Sequence, residues 1–412
     1  MRAPDPSTDP VAELRERLTR YPAETYPVQH ATAQFHLGGL LAAANRVDEA
    51  RAALVRASEL FGADRMPVEH AKALNGLGAV HRLTGELDRA EECFASAERR
   101  FAESDLPLER GAAMFNLGLV CRQRQDEAAA LNWFRLAAEL FDPEQAPAEA
   151  AATARETAAS LLAAGAPQAA LDALAPASAY AEATGDVAAR GAVANLTGLA
   201  HLALDAPADA IEDFTLAVAA NPRGVRPSEY AMAKANLALA CEREERPDHA
   251  RLAATQALGV PVAADAVRTQ ASGVLDRLGR SACALPEVLD TVDQDAWSPL
   301  LREELSRWAD ADEPDRRAAA GAWIDGQLTR QEASTALAEV WLGGLLELPP
   351  DAMETLIRST LAALDDKDAA AAKEFRRAVS SAMIHFHVPQ WMRLRDTFTA
   401  VAAEFDGEQQ WS

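Results

Sequence analysis

The sequence predicts an all-α protein: a solenoid of six helical hairpins of 40 residues each, followed by an irregular α-helical C-terminal domain. Three observations carry this prediction. Alanine recurs every 40 residues at Ala50, Ala90, Ala130, Ala170, Ala210 and Ala250, and again seven residues later at Ala57, Ala97, Ala137, Ala177, Ala217 and Ala257. Twelve residues before the first alanine of each repeat stand the small residues Gly38, Gly78, Gly118, Ala158, Gly198 and Ala238. Four residues after it come Leu54, Phe94, Phe134, Leu174 and Phe214, with Ala254 in the last repeat. Small residues at fixed points let two helices approach closely, and the bulky one fills the groove between them.

The elements follow in order along the chain. Residues 10–21 read as a leading helix with Val11, Leu14 and Leu18 on one face, able to cap the array or to pair with another copy. Helix A of each repeat begins at Pro27, Pro67, Pro107, Pro147 and Pro227, where a missing N–H costs nothing, and the fifth repeat has Val187 instead. Gln29, Glu69, Glu109, Glu149 and Glu229 follow in the first turn, where a carboxylate suits the helix dipole. Gly85, Gly165 and Pro207 mark the turns to helix B. A helix around Val267–Leu278 is predicted to cap the last hairpin. The expected division is therefore a leading or capping helix over 1–24, a repeat array over 25–280 and a helical C-terminal domain over 281–412.

In that last region Met353, Leu356, Ile357, Thr360, Leu361 and Leu364 form one apolar stripe after Pro349-Pro350. Phe375, Val379, Met383 and Phe386 form a second, and Trp391, Leu394, Phe398, Val401 and Phe405 a third. Tryptophans at 297, 308, 323, 341, 391 and 411 are expected mainly in a core.

Gly78, Ala90, Phe94 and Ala97, together with Asn221-Pro222 after a helix B, resemble the tetratricopeptide-repeat (TPR) family over about residues 25–280. The chain departs from that family in its 40-residue period and in its early aromatic position, which holds Gln34, Leu74, Met114, Ala154, Ala194 and Lys234. No family matches the C-terminal region by its residues. The resemblance implies an interaction scaffold whose concave wall is lined by helix A. It places Asn75, Arg82, Phe115, Leu119, Arg122, Arg155 and Asn195 on that wall. Arginine beside an aromatic and an amide suits a carboxylate or a peptide backbone. The rival reading is that these arginines pair with Glu69, Glu109 or Glu156. The Lys and Asn pattern of chaperone-tail receptors is not reproduced, since only Lys72 and Asn75 hint at it. His81 and His201 fall at packing positions and read as core histidines.

Composition narrows the classes. The formal charge is −23, and residues 281–412 hold 24 acidic against 12 basic side chains, a net of −12. Such a field repels nucleic acid and anionic membranes and draws in a basic partner. There is no apolar run of about 18 residues, and Met1-Arg2-Ala3-Pro4-Asp5-Pro6 is unlike a signal peptide, so a cytoplasmic protein is expected. The Ala- and Arg-rich composition, with only four lysines, points to a high-GC bacterial genome. Cys93, Cys121, Cys241 and Cys283 are too scattered for a metal cluster and read as small buried hydrophobes.

No catalytic motif and no cofactor motif is present. His385 and His387 are weak metal candidates, because residues two apart on a helix point in nearly opposite directions and a carboxylate such as Asp365 or Asp396 would have to join them. Asp365-Asp366-Lys367-Asp368 is expected to be a turn and helix cap rather than a cation loop. Gly343-Gly344 reads as a close-packing point or kink. The leading expectation is a scaffold or adaptor for a protein or peptide partner bearing a basic surface or an exposed carboxylate, with a homo-oligomer left open. A ligand-responsive regulator, and an enzyme acting through His385, His387 and nearby carboxylates, are the alternatives.

Overall fold

The computed structural model describes residues 9–281 and 284–405, and every regular element in them is helical. Cys283 and Trp411, named above, lie outside the described residues, as does the segment before Asp9. The chain divides into two compact halves, Met1–Ala206 and Pro207–Ser412.

In the first half, α1 (Pro10–Arg20) is capped by Asp9, whose carboxylate accepts from the Val11 amide. Leu14 is buried, and Val11 and Leu18 pack with it beside Leu37 and Leu41, so α1 closes the first hairpin. That hairpin is α2 (Pro27–Ala43) and α3 (Val47–Phe61), followed by α4 (Pro67–Leu83) with α5 (Leu87–Glu103) and α6 (Pro107–Gln123) with α7 (Glu127–Ala138). Next come α8 (Pro147–Ala163), α9 (Pro167–Ala173), α10 (Ala175–Thr184) and α11 (Val187–Ala203). The A helices α2, α4, α6 and α8 start on proline with no side-chain cap. In α11 the absent proline is offset by Asp186, which accepts from the amides of Ala188 and Ala189.

Each A helix ends in the same left-handed turn. Asn45, Gly85, Gln125, Gly165 and Asp205 have φ between 58° and 76°, and Glu245 repeats the turn in the second half with φ 56°. The amide of the following residue bonds back to the carbonyl five positions earlier, as in Glu86 to His81 and Asp126 to Cys121, the hydrogen-bond pattern of a Schellman cap. Four of the six left-handed positions are filled by non-glycine residues, and the sequence marked only Gly85 and Gly165.

Ala50, Ala90, Ala130 and Ala170 are fully buried, as are Ala57, Ala97, Ala137 and Ala177. A methyl group on Gly78 would come within 2.7 Å of the Phe94 ring, and one on Gly118 within 2.5 Å of Phe134. The size of the helix B residue therefore dictates the absence of a side chain on helix A. The fourth helix B breaks at Leu174, because Pro176 supplies no amide; α9 ends there and α10 begins at once.

In the second half, α12 (Pro207–Ala220) packs on α13 (Pro227–Arg243), which pairs with α14 (Pro247–Leu258). The cap predicted near Val267–Leu278 is α15 (Asp265–Leu278), laid against α13 and α14 through Ala271, Val274 and Leu275. After a short α16 (Ala284–Leu289) come α17 (Trp297–Asp310), α18 (Glu313–Thr329), α19 (Ser334–Glu347), α20 (Pro350–Asp365), α21 (Ala369–Met383) and α22 (Val388–Ala402). Each of α17 to α20 packs on the second helix after it, enclosing one core.

The three apolar stripes line that core, with Phe386, Trp391 and Phe405 at its margin. Trp297, Trp308, Trp323 and Trp341 are buried in it. Asp368 caps α21 by accepting from the Ala371 amide, and Asp366 and Lys367 pair with Arg317 and Asp325, so the acidic run is a turn and cap. Gly344 is a close-packing point, where a methyl group would sit 2.6 Å from Leu305, and α19 runs unbroken through it.

Candidate functional site

The helix A wall of the first half brings α4, α6 and α8 side by side. Across it, the Asn116 amide donates to the Asn75 carbonyl oxygen at 3.2 Å. Arg122 on α6 forms an ion pair with Glu156 on α8. Arg82, one helix earlier, is close enough to feel both, yet makes no ion pair, and its Nε is buried without a hydrogen-bond partner. Burial lowers the Arg82 pKa first; the Glu156 carboxylate opposes this and the Arg122 guanidinium adds to it. The guanidinium still remains charged at any physiological pH. The one carboxylate between these two cations is thus taken by Arg122.

Phe115 turns toward helix B, its ring 5.7 Å from that of Phe134. Leu119 and Arg155 are half-buried, on α6 and α8, and Asn195 is buried on α11. The arrangement therefore joins Arg82 with Arg122 and Asn75 with Asn116, while Phe115 is partly committed to its own hairpin. Ion pairing of the wall cations applies to Arg122, and Glu109 takes Lys72 at 3.5 Å rather than an arginine.

His81 is buried with Nδ1 3.2 Å from Glu86, whereas His201 is half-buried. His385 is exposed, and the carboxylate at its Nδ1 is that of Glu339, at 2.8 Å. The backbone at His387 is extended and leads into α22. Among the described residues no group of three His, Cys, Asp or Glu side chains could hold a metal ion. Cys93, Cys121 and Cys241 are free thiols; only Cys241 is fully buried, and burial pushes its pKa up to about 11, so the other two correct the expectation of buried hydrophobes.

The second half holds a polar network that sequence reasoning missed. The Tyr230 hydroxyl donates to Glu303 on α17, and Lys234 Nζ lies 2.8 Å from the same carboxylate. At the next position of α17, Glu304 is buried and accepts from Gln256 at 2.9 Å and from Arg307 at 2.7 Å. Burial, then the Glu303 charge, raises the Tyr230 pKa, so the phenol stays protonated. Buried charges of this kind persist only when paired. The available signal was Lys234 itself, a charge at a position that is otherwise neutral in every repeat. Beside the network a cavity of about 820 Å³ opens between the ends of α12 and α13 and one face of α17.

Helical hairpins at a fixed spacing define a helical-repeat protein, a fold that suggests a protein–protein interaction scaffold. Residues 69–142, spanning most of the second and third hairpins, match the tetratricopeptide-repeat family model, which supports assigning the hairpin array to that family. No curated protein matches it in sequence.

Among solved structures it is similar to Pseudomonas aeruginosa pilF at 13% identity and TM-score 0.45, with 60% of this chain and 97% of that one covered. It is also similar to YrrB, described as a TPR protein with an unusual peptide-binding site, at 18% identity and TM-score 0.35, covering 52% and 94%. The likeness to BtubC from P. vanneervenii has 15% identity and TM-score 0.34, covering 64% and 88%. At such values none of these likenesses extends to a ligand or an activity. Among the described residues no helix is long and apolar enough to cross a membrane.

Proposed function

We propose that the protein is a cytoplasmic bacterial adaptor that holds a segment of a partner protein against the α4–α6–α8 wall, with a carboxylate of that segment meeting Arg82. The observation that supports this most directly is the half-buried Arg82 guanidinium, which has no ion-pair partner although Arg122 beside it has Glu156. An unmatched buried cation costs free energy, and an incoming carboxylate would relieve that cost with charge-assisted hydrogen bonds. Asn75, Phe115, Leu119, Arg155 and Asn195 extend the surface along the same wall. The free thiols Cys93, Cys121 and Cys241 suit a reducing compartment. In this reading residues 1–24 close the array, 25–280 carry it, and 281–412 dock a second surface.

Capture of a partner from the native cytoplasm by wild type and by the Arg82→Glu, Arg122→Glu double variant tests the proposal. A protein lost on charge reversal, with helicity unchanged by circular dichroism, is the expected result. Equal capture by both removes the wall from the mechanism.

A further inference from the structure

The cavity of the second half is a groove rather than a hole. One wall is a single face of α17, on which Pro299, Arg302, Glu303, Ser306 and Asp310 recur at helical spacing. The eleven helical steps from Pro299 to Asp310 make that face roughly 16 Å long, room for about five residues of extended chain. The opposite wall is apolar and stiff, made by Val218, Pro227, the Tyr230 ring, Val260 and Pro261. Its volume of about 820 Å³ lies within the range of ligand-holding clefts.

The charges along the groove are already matched. Arg223 meets Asp310 at 3.1 Å, Arg302 meets Glu347 at 2.7 Å, and Lys234 backs Glu303. A ligand therefore finds no uncompensated ion inside and is held by its apolar groups. The apolar surface also continues past the mouth, since Val225 and Val262, which follow lining residues Gly224 and Pro261, are 70% and 61% exposed. A small molecule would leave those valines in water, whereas a chain running through the groove covers them. The surrounding field selects the sign of that chain, because residues 281–412 carry a net charge of −12.

We propose that the groove between α17 and the α12–α13 turn binds an extended peptide segment with an apolar centre and basic flanks. This site is separate from the Arg82 wall, and its ligand has the opposite charge preference. The Tyr230–Glu303–Lys234 contacts hold α17 at the right distance from α13, so the groove is preformed and the peptide alone loses freedom on binding.

Fluorescence anisotropy on the full chain tests this with a labelled heptapeptide that has Leu-Phe-Leu at its centre and arginine at both ends. The controls replace the central three residues with serine, or both arginines with glutamate. Ser306→Trp fills the groove from a half-exposed position whose hydroxyl bonds only to its own helix. It is expected to weaken binding at least tenfold, as are both peptide changes, while Ser306→Ala and Arg82→Glu leave it within twofold. Equal binding to wild type and Ser306→Trp, or equal binding of the glutamate peptide, overturns the proposal. Failure of the arginine peptide to bind, with a neutral aromatic dye binding in its place, overturns it in favour of a small-molecule site. Because Arg82→Glu is a control here, the groove and the wall fail independently.

Discussion

A methyl group added to Gly78 would lie 2.7 Å from Phe94 Cε1, so the glycine on helix A exists for the ring on helix B. Gly78→Ala gains about 1 kcal/mol of helix propensity, but it must displace a fully buried ring, at about 1–3 kcal/mol. Net destabilisation is expected in denaturant unfolding, with partial recovery when Phe94→Leu is added. Gly39 is the contrasting case, since a methyl group there would meet nothing within 4 Å. Gly39→Ala should stabilise the chain by about 0.5–1 kcal/mol.

The left-handed turns offer a gain. Gln125 and Glu245 sit at φ 65° and 56°, where a side chain costs roughly 1–2 kcal/mol that glycine does not. Replacing either with glycine should raise the unfolding midpoint, and the two changes should add. A lower midpoint in both would mean that these side chains contribute something beyond the turn.

Arg82 separates binding from stability. Its guanidinium is half-buried without an ion-pair partner, so Arg82→Met keeps the aliphatic packing and removes a desolvated charge. Stability is expected to hold within about 0.5 kcal/mol or to improve, while partner capture falls. A large loss of stability would show that Arg82 is chiefly structural.

His249 gives the chain a pH dependence of known sign. Burial, reinforced by the neighbouring Arg246, lowers its pKa from 6.5 to about 4, and Arg246 donates to its ring nitrogen at 2.8 Å. Between those pH values the unfolded chain binds a proton that the folded one refuses. Stability from this residue is therefore full above pH 6.5 and declines as pH falls toward 4. His249→Gln removes the titration. Relative to wild type, it should gain on the order of 1–2 kcal/mol between pH 7 and pH 4.5, after discounting for partial exposure. An unchanged difference across that range would be the contrary result.

The hairpins were legible because their determinants are local and repeated: proline at the first turn, a small residue facing a bulky one, and paired alanines. The left-handed turns were only half legible, since Asn45, Gln125, Asp205 and Glu245 occupy a conformation that composition does not announce. On the wall, Arg122 with Glu156 could be anticipated from repeat positions. The pairing of Lys234 with Glu303 could not, because 69 residues and a change from repeat to non-repeat helices separate them. The groove beside it arises from where α17 is seated, which no periodicity encodes.

The broken fourth helix B bears on how the first half comes apart. Around Leu174 the packing is mostly alanine, from Ala151, Ala154, Ala158, Ala170 and Ala177, where the second and third hairpins have Phe94, Phe101, Phe134 and Phe141. In a stack whose stability is a sum of neighbour terms, the member with the least buried carbon and an interrupted ladder opens first. A pull on the chain would be released at Leu174, sparing the aromatic hairpins that carry Arg82 and Arg122: a mechanical fuse beside the charged wall.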